Sequence, residues 1–147
     1  MRIYLPKTEG KVEEIRRGEI MSERPKKGTI LLIDDEEVVR ELGKDILEAY
    51  NYEVLLAIHG NEGVRMFNDN KDSIDLVILD MVMPEKGGRQ TFKEIRVLKP
   101  DARVLICSGH GEEQYFYELF EAGAAGFLQK PFQHTELLSK VEETMKK

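Results

Sequence analysis

From Thr29 onward, five short apolar runs alternate with stretches of helical period, and this alternation limits the fold more than any other property of the chain. The runs are Thr29–Ile33 (TILLI), 52–57 (YEVLLA), 74–79 (IDLVIL), 102–107 (ARVLIC) and 125–129 (AGFLQ). The central ones are apolar throughout rather than alternating, which suits strands covered on both faces. Helices are expected between them. In 37–50 the four-residue spacing of Val38, Leu42, Ile46 and Tyr50 predicts one buried stripe. Residues 61–70 (Val64, Phe67), 88–98 (Phe92, Ile95, Leu98), 112–122 (Phe116, Leu119, Phe120) and 134–146 (Leu137, Leu138, Val141, Met145) follow. Pro100 after Lys99 stops the third helix, and Gly123 and Gly126 punctuate the entry to the fifth strand.

Strand–helix repeated five times predicts an α/β fold with a parallel sheet and right-handed crossovers. Five strands of this length form an open doubly wound (βα)5 sheet, with the flavodoxin-like order 2-1-3-4-5. A chain of 147 residues is close to one domain's worth. Ligands of such sheets bind at the carboxyl ends of the strands.

Composition removes several classes. The longest apolar run has five residues, 54–58, too short to cross a membrane. No basic start with an apolar stretch and cleavage site marks a secretory signal. Cys107 is the single cysteine, so no internal disulfide forms and the cytoplasm is the expected compartment. Residues 1–28 carry eight Lys/Arg against five Asp/Glu, and 29–147 fourteen against twenty-three. So acidic a body disfavours direct binding of nucleic acid. Residues 1–28 read as a leader and linker: 7–23 is a weak helix pattern broken by Gly10 and Gly18, and the boundary falls near 28.

The strand ends carry the chemistry. The first strand runs into Asp34-Asp35-Glu36-Glu37 and the third into Asp80, while the fourth ends in Ser108 and the fifth in Lys130-Pro131. Each alone is ordinary loop or helix-start chemistry. Together they gather three carboxylates, a hydroxyl and an ammonium on one rim. A carboxylate pair about 4 Å apart costs roughly 1 kcal/mol in water and roughly 4 kcal/mol at an effective dielectric of 20. Keeping them ionised calls for a cation, and hard oxygen donors suit Mg²⁺. Metal, ammonium and hydroxyl around one Asp are what phosphoryl transfer to that Asp requires.

These residues, in order and at spacings of 45, 28 and 22 between Asp35, Asp80, Ser108 and Lys130, resemble the response-regulator receiver domain of two-component signalling. Asp80-Met81-Val82-Met83-Pro84 with Gly87, and Lys130-Pro131-Phe132, complete the likeness over about 28–147. The resemblance implies a CheY-like fold. It implies that Asp80 takes a phosphoryl group from a phosphohistidine on a histidine kinase or phosphotransfer partner. Asp35 would bind Mg²⁺ directly, Asp34 would assist, and the Val82 carbonyl would be a further ligand. Lys130 would pair with Asp80 and then with the phosphoryl group. Ser108 would bond a phosphoryl oxygen and Phe127 would turn inward with it, a two-state switch. Pro131 would support a cis-like turn after Lys130.

Val82, two after Asp80, cannot orient a hydrolytic water through its side chain, which implies slow self-dephosphorylation; His110 stands two after Ser108. Phe127 lacks the hydroxyl of the Tyr frequent there. Cys107 reads as a buried small hydrophobe, and His59, His110 and His134 lack ligand spacing. In the fourth helix Phe116 and Phe120 read as core. Tyr115 and Tyr117 read as exposed interface residues, and a homodimer would use the face of the fourth helix, fifth strand and fifth helix.

Residues 2–6 (Arg-Ile-Tyr-Leu-Pro) resemble the closing strand of a histidine-kinase ATPase domain, and 126–132 resembles receivers at the carboxyl end of hybrid sensor kinases. The expected setting is therefore a hybrid kinase, whose parent would be a transferase and membrane-associated. This chain would be no enzyme beyond its own phosphorylation and dephosphorylation, and would itself touch no membrane. A stand-alone regulator is the alternative, as is an interaction module of the same fold that is never phosphorylated. An Asp-nucleophile phosphatase is disfavoured by Val82, where that class uses a second Asp, and by the lack of a cap. A nucleotide-binding flavodoxin-like protein is disfavoured because no Gly-rich loop follows the first strand.

Overall fold

Five parallel strands form one sheet in the order β2-β1-β3-β4-β5. In chain order the elements are β1 (Thr29–Ile33), α1 (Glu37–Ala49), β2 (Glu53–Ala57), α2 (Gly60–Asn70), β3 (Leu76–Asp80), α3 (Gly88–Leu98), β4 (Val104–Ser108), α4 (Gln114–Glu121), β5 (Gly126–Gln129) and α5 (His134–Met145). This computed structural model describes residues 25–83, 86–109 and 114–146, the side chains of Gln114 and Tyr115 excepted. Of the expected leader, 1–24 lies outside the described residues. Residues 25–28 run against the α1–β2 turn: Lys27 N donates to Asn51 O (2.8 Å), and Asn51 Nδ2 to Pro25 O (2.7 Å).

Every residue of β3 and β4 is buried, as the unbroken apolar runs predict for strands covered on both sides. Alternate residues feed two cores. Leu31, Ile33, Val77, Leu79, Val104 and Ile106 meet Phe67 of α2, Phe92 and Ile95 of α3 and Leu119 of α4. Ile30, Leu32, Leu76, Ile78, Leu105 and Cys107 meet Leu47 of α1 and Leu137, Leu138 and Val141 of α5. Each such aliphatic burial contributes about 1.5–3 kcal/mol.

The helix starts follow from local chemistry. His59 Nδ1 accepts the Glu62 N–H (3.1 Å) and Glu62 Oε1 accepts the Ile58 N–H (2.7 Å), so His59 caps α2. Gln133 and Glu136 form a capping box on α5.

Two core expectations are corrected. In α1, Val38 is 77% exposed, Leu42 and Tyr50 are each 47% exposed, and only Ile46 of the expected stripe is half-buried. The buried line runs instead through Val39, Gly43, Ile46 and Leu47, with Val39 half-covered. Gly43 sets this rotation: a Cβ there would lie 2.8 Å from Leu32 Cδ2, so the helix turns its bare position onto β1. In α4, Phe120 is 62% exposed while Leu119 is buried. Phe116 is half-buried against Phe127, ring centroids 4.5 Å apart. With β5 at the edge of the sheet, no further strand among the described residues lies beyond it to cover Phe120.

Candidate functional site

The rim is assembled by strand register. Asp34 follows β1, Asp80 closes β3 beside Cys107 of β4, and Ser108 closes β4 beside Gln129, next to Lys130. Lys130 N donates to Ser108 O (2.7 Å), carrying the β4–β5 pairing up to the lysine, and the Lys130–Pro131 bond is cis. Asp34 is held by its backbone and side chain together. Its N–H donates to Ala57 O (3.1 Å), its Oδ1 accepts the Glu36 N–H (2.9 Å), and its carbonyl accepts from Arg40 Nη1 (2.8 Å). Gly88 lets α3 begin directly on the end of β3, since a Cβ there would lie 2.7 Å from Asp80 O and from Met81 Cα.

One carboxylate oxygen each from Asp34, Asp35 and Asp80 lie within 4.8 Å of one another. Asp34 and Asp80 are buried and Asp35 is exposed, so the cluster has an open side. Lys130 Nζ lies 2.8 Å from Asp34 Oδ2, 3.2 Å from Glu36 Oε1 and 3.3 Å from Asp80 Oδ1. Burial drives the Asp80 carboxyl up to about 7. The charge of Asp34 adds to the rise, while Lys130 and the Val82 N–H, 3.5 Å from Oδ1, pull against it. For Lys130, burial favours loss of the proton. Its hydrogen bond to Asp34 and the charges of Asp80 and Asp34 outweigh that and hold it above its ordinary value.

Ser108 Oγ is buried and has no hydrogen-bond partner among the described residues. Phe127 lies two residues before Gln129 on β5, half-buried against Phe116. Val82 stands on the site's edge, 59% exposed. The rim therefore brings together Asp34, Asp35, Asp80, Val82, Ser108 and Lys130, with Phe127 of β5 behind them against Phe116 of α4. Tyr117 is away on α4, 82% exposed; the Tyr115 side chain and His110 lie outside the described residues. A cleft of about 490 Å³ at the amino ends of β3, β4 and β5, lined by Arg96, Lys99, Asp101 and Arg103 among others, holds none of these groups.

The family model for the response regulator receiver domain matches residues 30–142. The chain belongs to the response regulator receiver domain family. This receiver is 34% identical over 118 residues to the chemotaxis protein CheY of Thermotoga maritima, covering 80% of the chain and 97% of that protein. It is also 34% identical over 119 residues to the sensor kinase CckA of Brucella abortus, covering 81% of the chain but 13% of the kinase. A crystal structure of a receiver domain protein from Clostridium thermocellum superposes with a TM-score of 0.78 at 35% identity, over 81% of this chain and 94% of that one. A chain of the CheX–CheY–BeF₃–Mg²⁺ complex from Borrelia burgdorferi gives a TM-score of 0.75 at 27% identity, over 78% of this chain and 86% of that one.

Two residues of the receiver's site carry no assignment from sequence. Glu36 shares the ammonium of Lys130, and Arg40 clamps the Asp34 carbonyl. The acidic run 34–37 hinted at Glu36. Arg40 gave no signal, because its reach depends on how the first turn of α1 leaves β1. No described helix is long and apolar enough to cross a membrane.

Proposed function

We propose that this receiver accepts a phosphoryl group on Asp80 from a phosphohistidine, on a histidine kinase or a phosphotransfer domain. The observation that carries the reading is the convergence on one ammonium of a buried nucleophilic carboxylate and its neighbour Asp34, beside a buried hydroxyl with no partner among the described residues. An Oδ of Asp80 attacks phosphorus as the P–N bond breaks, and the leaving imidazole nitrogen keeps the electron pair and takes up a proton. Lys130 stays charged at any working pH and sits where the incoming oxygens would need neutralising. Ser108 Oγ supplies a donor that needs an acceptor.

The donor set fits Mg²⁺: three hard carboxylates in reach of one another, one facing solvent. Asp34, Asp35, Asp80 and the Val82 carbonyl would hold it. Bound there, it would supply the positive charge that keeps Asp80 ionised and offsets charge on the transferring oxygens.

Phe127 would follow Ser108 inward and carry the change to α4 through Phe116. The exposed Tyr117 and Phe120 support α4 as the contact face for a second copy of this chain. Receiver chemistry is the same in either setting, and the single buried free cysteine supports the cytoplasm as its compartment. Residues 2–6 and the likeness to CckA favour a hybrid kinase; the near full-length match to CheY favours a stand-alone regulator.

The test is intact mass after incubation with an acyl phosphate and Mg²⁺. One phosphoryl group is expected on wild type, and none without Mg²⁺ or on Asp80→Asn. No adduct on wild type from either an acyl phosphate or a phosphohistidine donor would overturn the reading.

A further inference from the structure

The loop from β3 to α3 carries Val82, whose carbonyl is the one backbone group in the proposed metal site. Its anchoring is uneven. Met81 and Met83 are buried, but Val82 is exposed, and Gly87 enters α3 without a side chain. Among the described residues of this loop, Lys86 alone has a side chain hydrogen-bonded to another element. Its Nζ lies 2.5 Å from Glu94 Oε1 on α3. Gln90 Nε2 holds the other oxygen, Glu94 Oε2, at 2.8 Å. These bonds, Gln90's first and then Lys86's, hold the Glu94 carboxyl below its ordinary value. Lys86 is also pressed down from the other side. A Cβ on Gly60, the first residue of α2, would lie 3.0 Å from Lys86 Cδ and 3.1 Å from its carbonyl oxygen. Thr91 Oγ1 then ties Gly87 O to α3 at 2.9 Å. The Lys86–Gly87 end of the loop is thus seated between the start of α2 and the middle of α3, with one ammonium as its clasp.

We infer that Lys86 and Glu94 are positioning residues for metal binding: their ion pair fixes the loop so that the Val82 carbonyl is held ready for Mg²⁺. Neither residue touches the acceptor. This rests on the proposed reading of the acidic cluster as the Mg²⁺ site. The ion pair is half-buried, its side chains 18% and 34% exposed, so water still screens it and its role is geometric rather than a source of stability. Support one step behind a ligand sets affinity because a mobile ligand must be ordered when the metal binds.

The test is a Mg²⁺ titration of the 147-residue chain followed by amide NMR shifts, for wild type, Lys86→Met and Glu94→Gln, and for the exchanged pair Lys86→Glu with Glu94→Lys. Lys86→Met keeps the aliphatic stem over Gly60 and removes only the charge. Dissociation constants about tenfold weaker are expected in both single variants, the low end of what lost outer support costs at metal sites. The exchanged pair should recover most of that loss. Phosphorylation by an acyl phosphate should need more Mg²⁺ for half-saturation yet reach the wild-type rate when saturated. Unchanged affinity in folded single variants, or a lower saturated rate at unchanged affinity, overturns the inference. Wild type that binds no Mg²⁺ overturns the metal-site reading, and this inference with it.

Discussion

Asp80 sits between a charge that repels it and one that holds it. Its carboxyl is raised by burial first and by Asp34 second, to about 7, against an ordinary value near 4. Between those values the folded protein keeps a proton that the unfolded chain has released, so stability falls as pH rises through that window. Asparagine has no such slope. Without Mg²⁺, Asp80→Asn should therefore gain about 2 kcal/mol on wild type between pH 5 and pH 8, read from urea midpoints. Parallel pH curves would show that Lys130 already cancels the repulsion. Val82 sets a second expectation. Its exposed isopropyl group cannot orient water, so Val82→Asn should shorten the phosphoprotein's lifetime on the order of tenfold, below full acid–base catalysis because an amide only orients. Decay followed by intact mass checks it. Asp34, Asp80, Ser108 and Lys130 were legible in the sequence because parallel strands bring their carboxyl ends to one rim. Glu36 was only hinted at by its acidic run, and Arg40 and the Lys86–Glu94 clasp were not legible, since side-chain reach across a turn leaves no periodic trace.

The elements meet through glycines that hydropathy does not register. Gly43 of α1 faces one terminal methyl of Leu32, 2.8 Å from a built Cβ. Gly63 of α2 faces three atoms of the fully buried Ile33, the nearest 2.4 Å away. Gly88 of α3 faces the backbone of Asp80 and Met81 at 2.7 Å. A flexible methyl yields, a buried β-branched side chain yields less, and backbone yields least. Alanine at 43, 63 and 88 should therefore cost stability in that rising order, from about 1 to about 3 kcal/mol, by denaturant titration. Equal costs would mean that the helices shift freely over the sheet. The misread stripe of α1 has the same origin. Val38 and Leu42 advertise a buried face, yet the helix turns on the residue with no side chain. Period and apolarity located every described helix, but the rotation of α1 was fixed by closest approach.

At the scale of the molecule the order of the sheet followed from five repeats of one unit and the rarity of left-handed crossovers. The rim of chemistry and the two cores both descend from that order. Legibility stopped at the surface: the apolar edge of α1, formed by Val38 and Leu42 next to Phe132 in a cleft of about 360 Å³ beside Lys130, is invisible until the helix phase is known.

Cys107 lies in the core between the sheet and helices α1 and α5, 2% exposed, on β4, whose residues are all buried. Burial pushes its thiol up to about 12, so it is both hidden and protonated at neutral pH. Because it is the chain's one cysteine, a thiol reagent added in excess can mark each molecule only once, and only while the middle of the sheet is apart. Modification should run about a thousandfold or more slower than for the unfolded chain, as expected for a domain stable by at least 5 kcal/mol. It should slow further as Mg²⁺ is added. Rapid labelling under native conditions would instead show that β4 breathes on its own. A residue with no part in the chemistry thus serves as a clock, counting how often the sheet comes open.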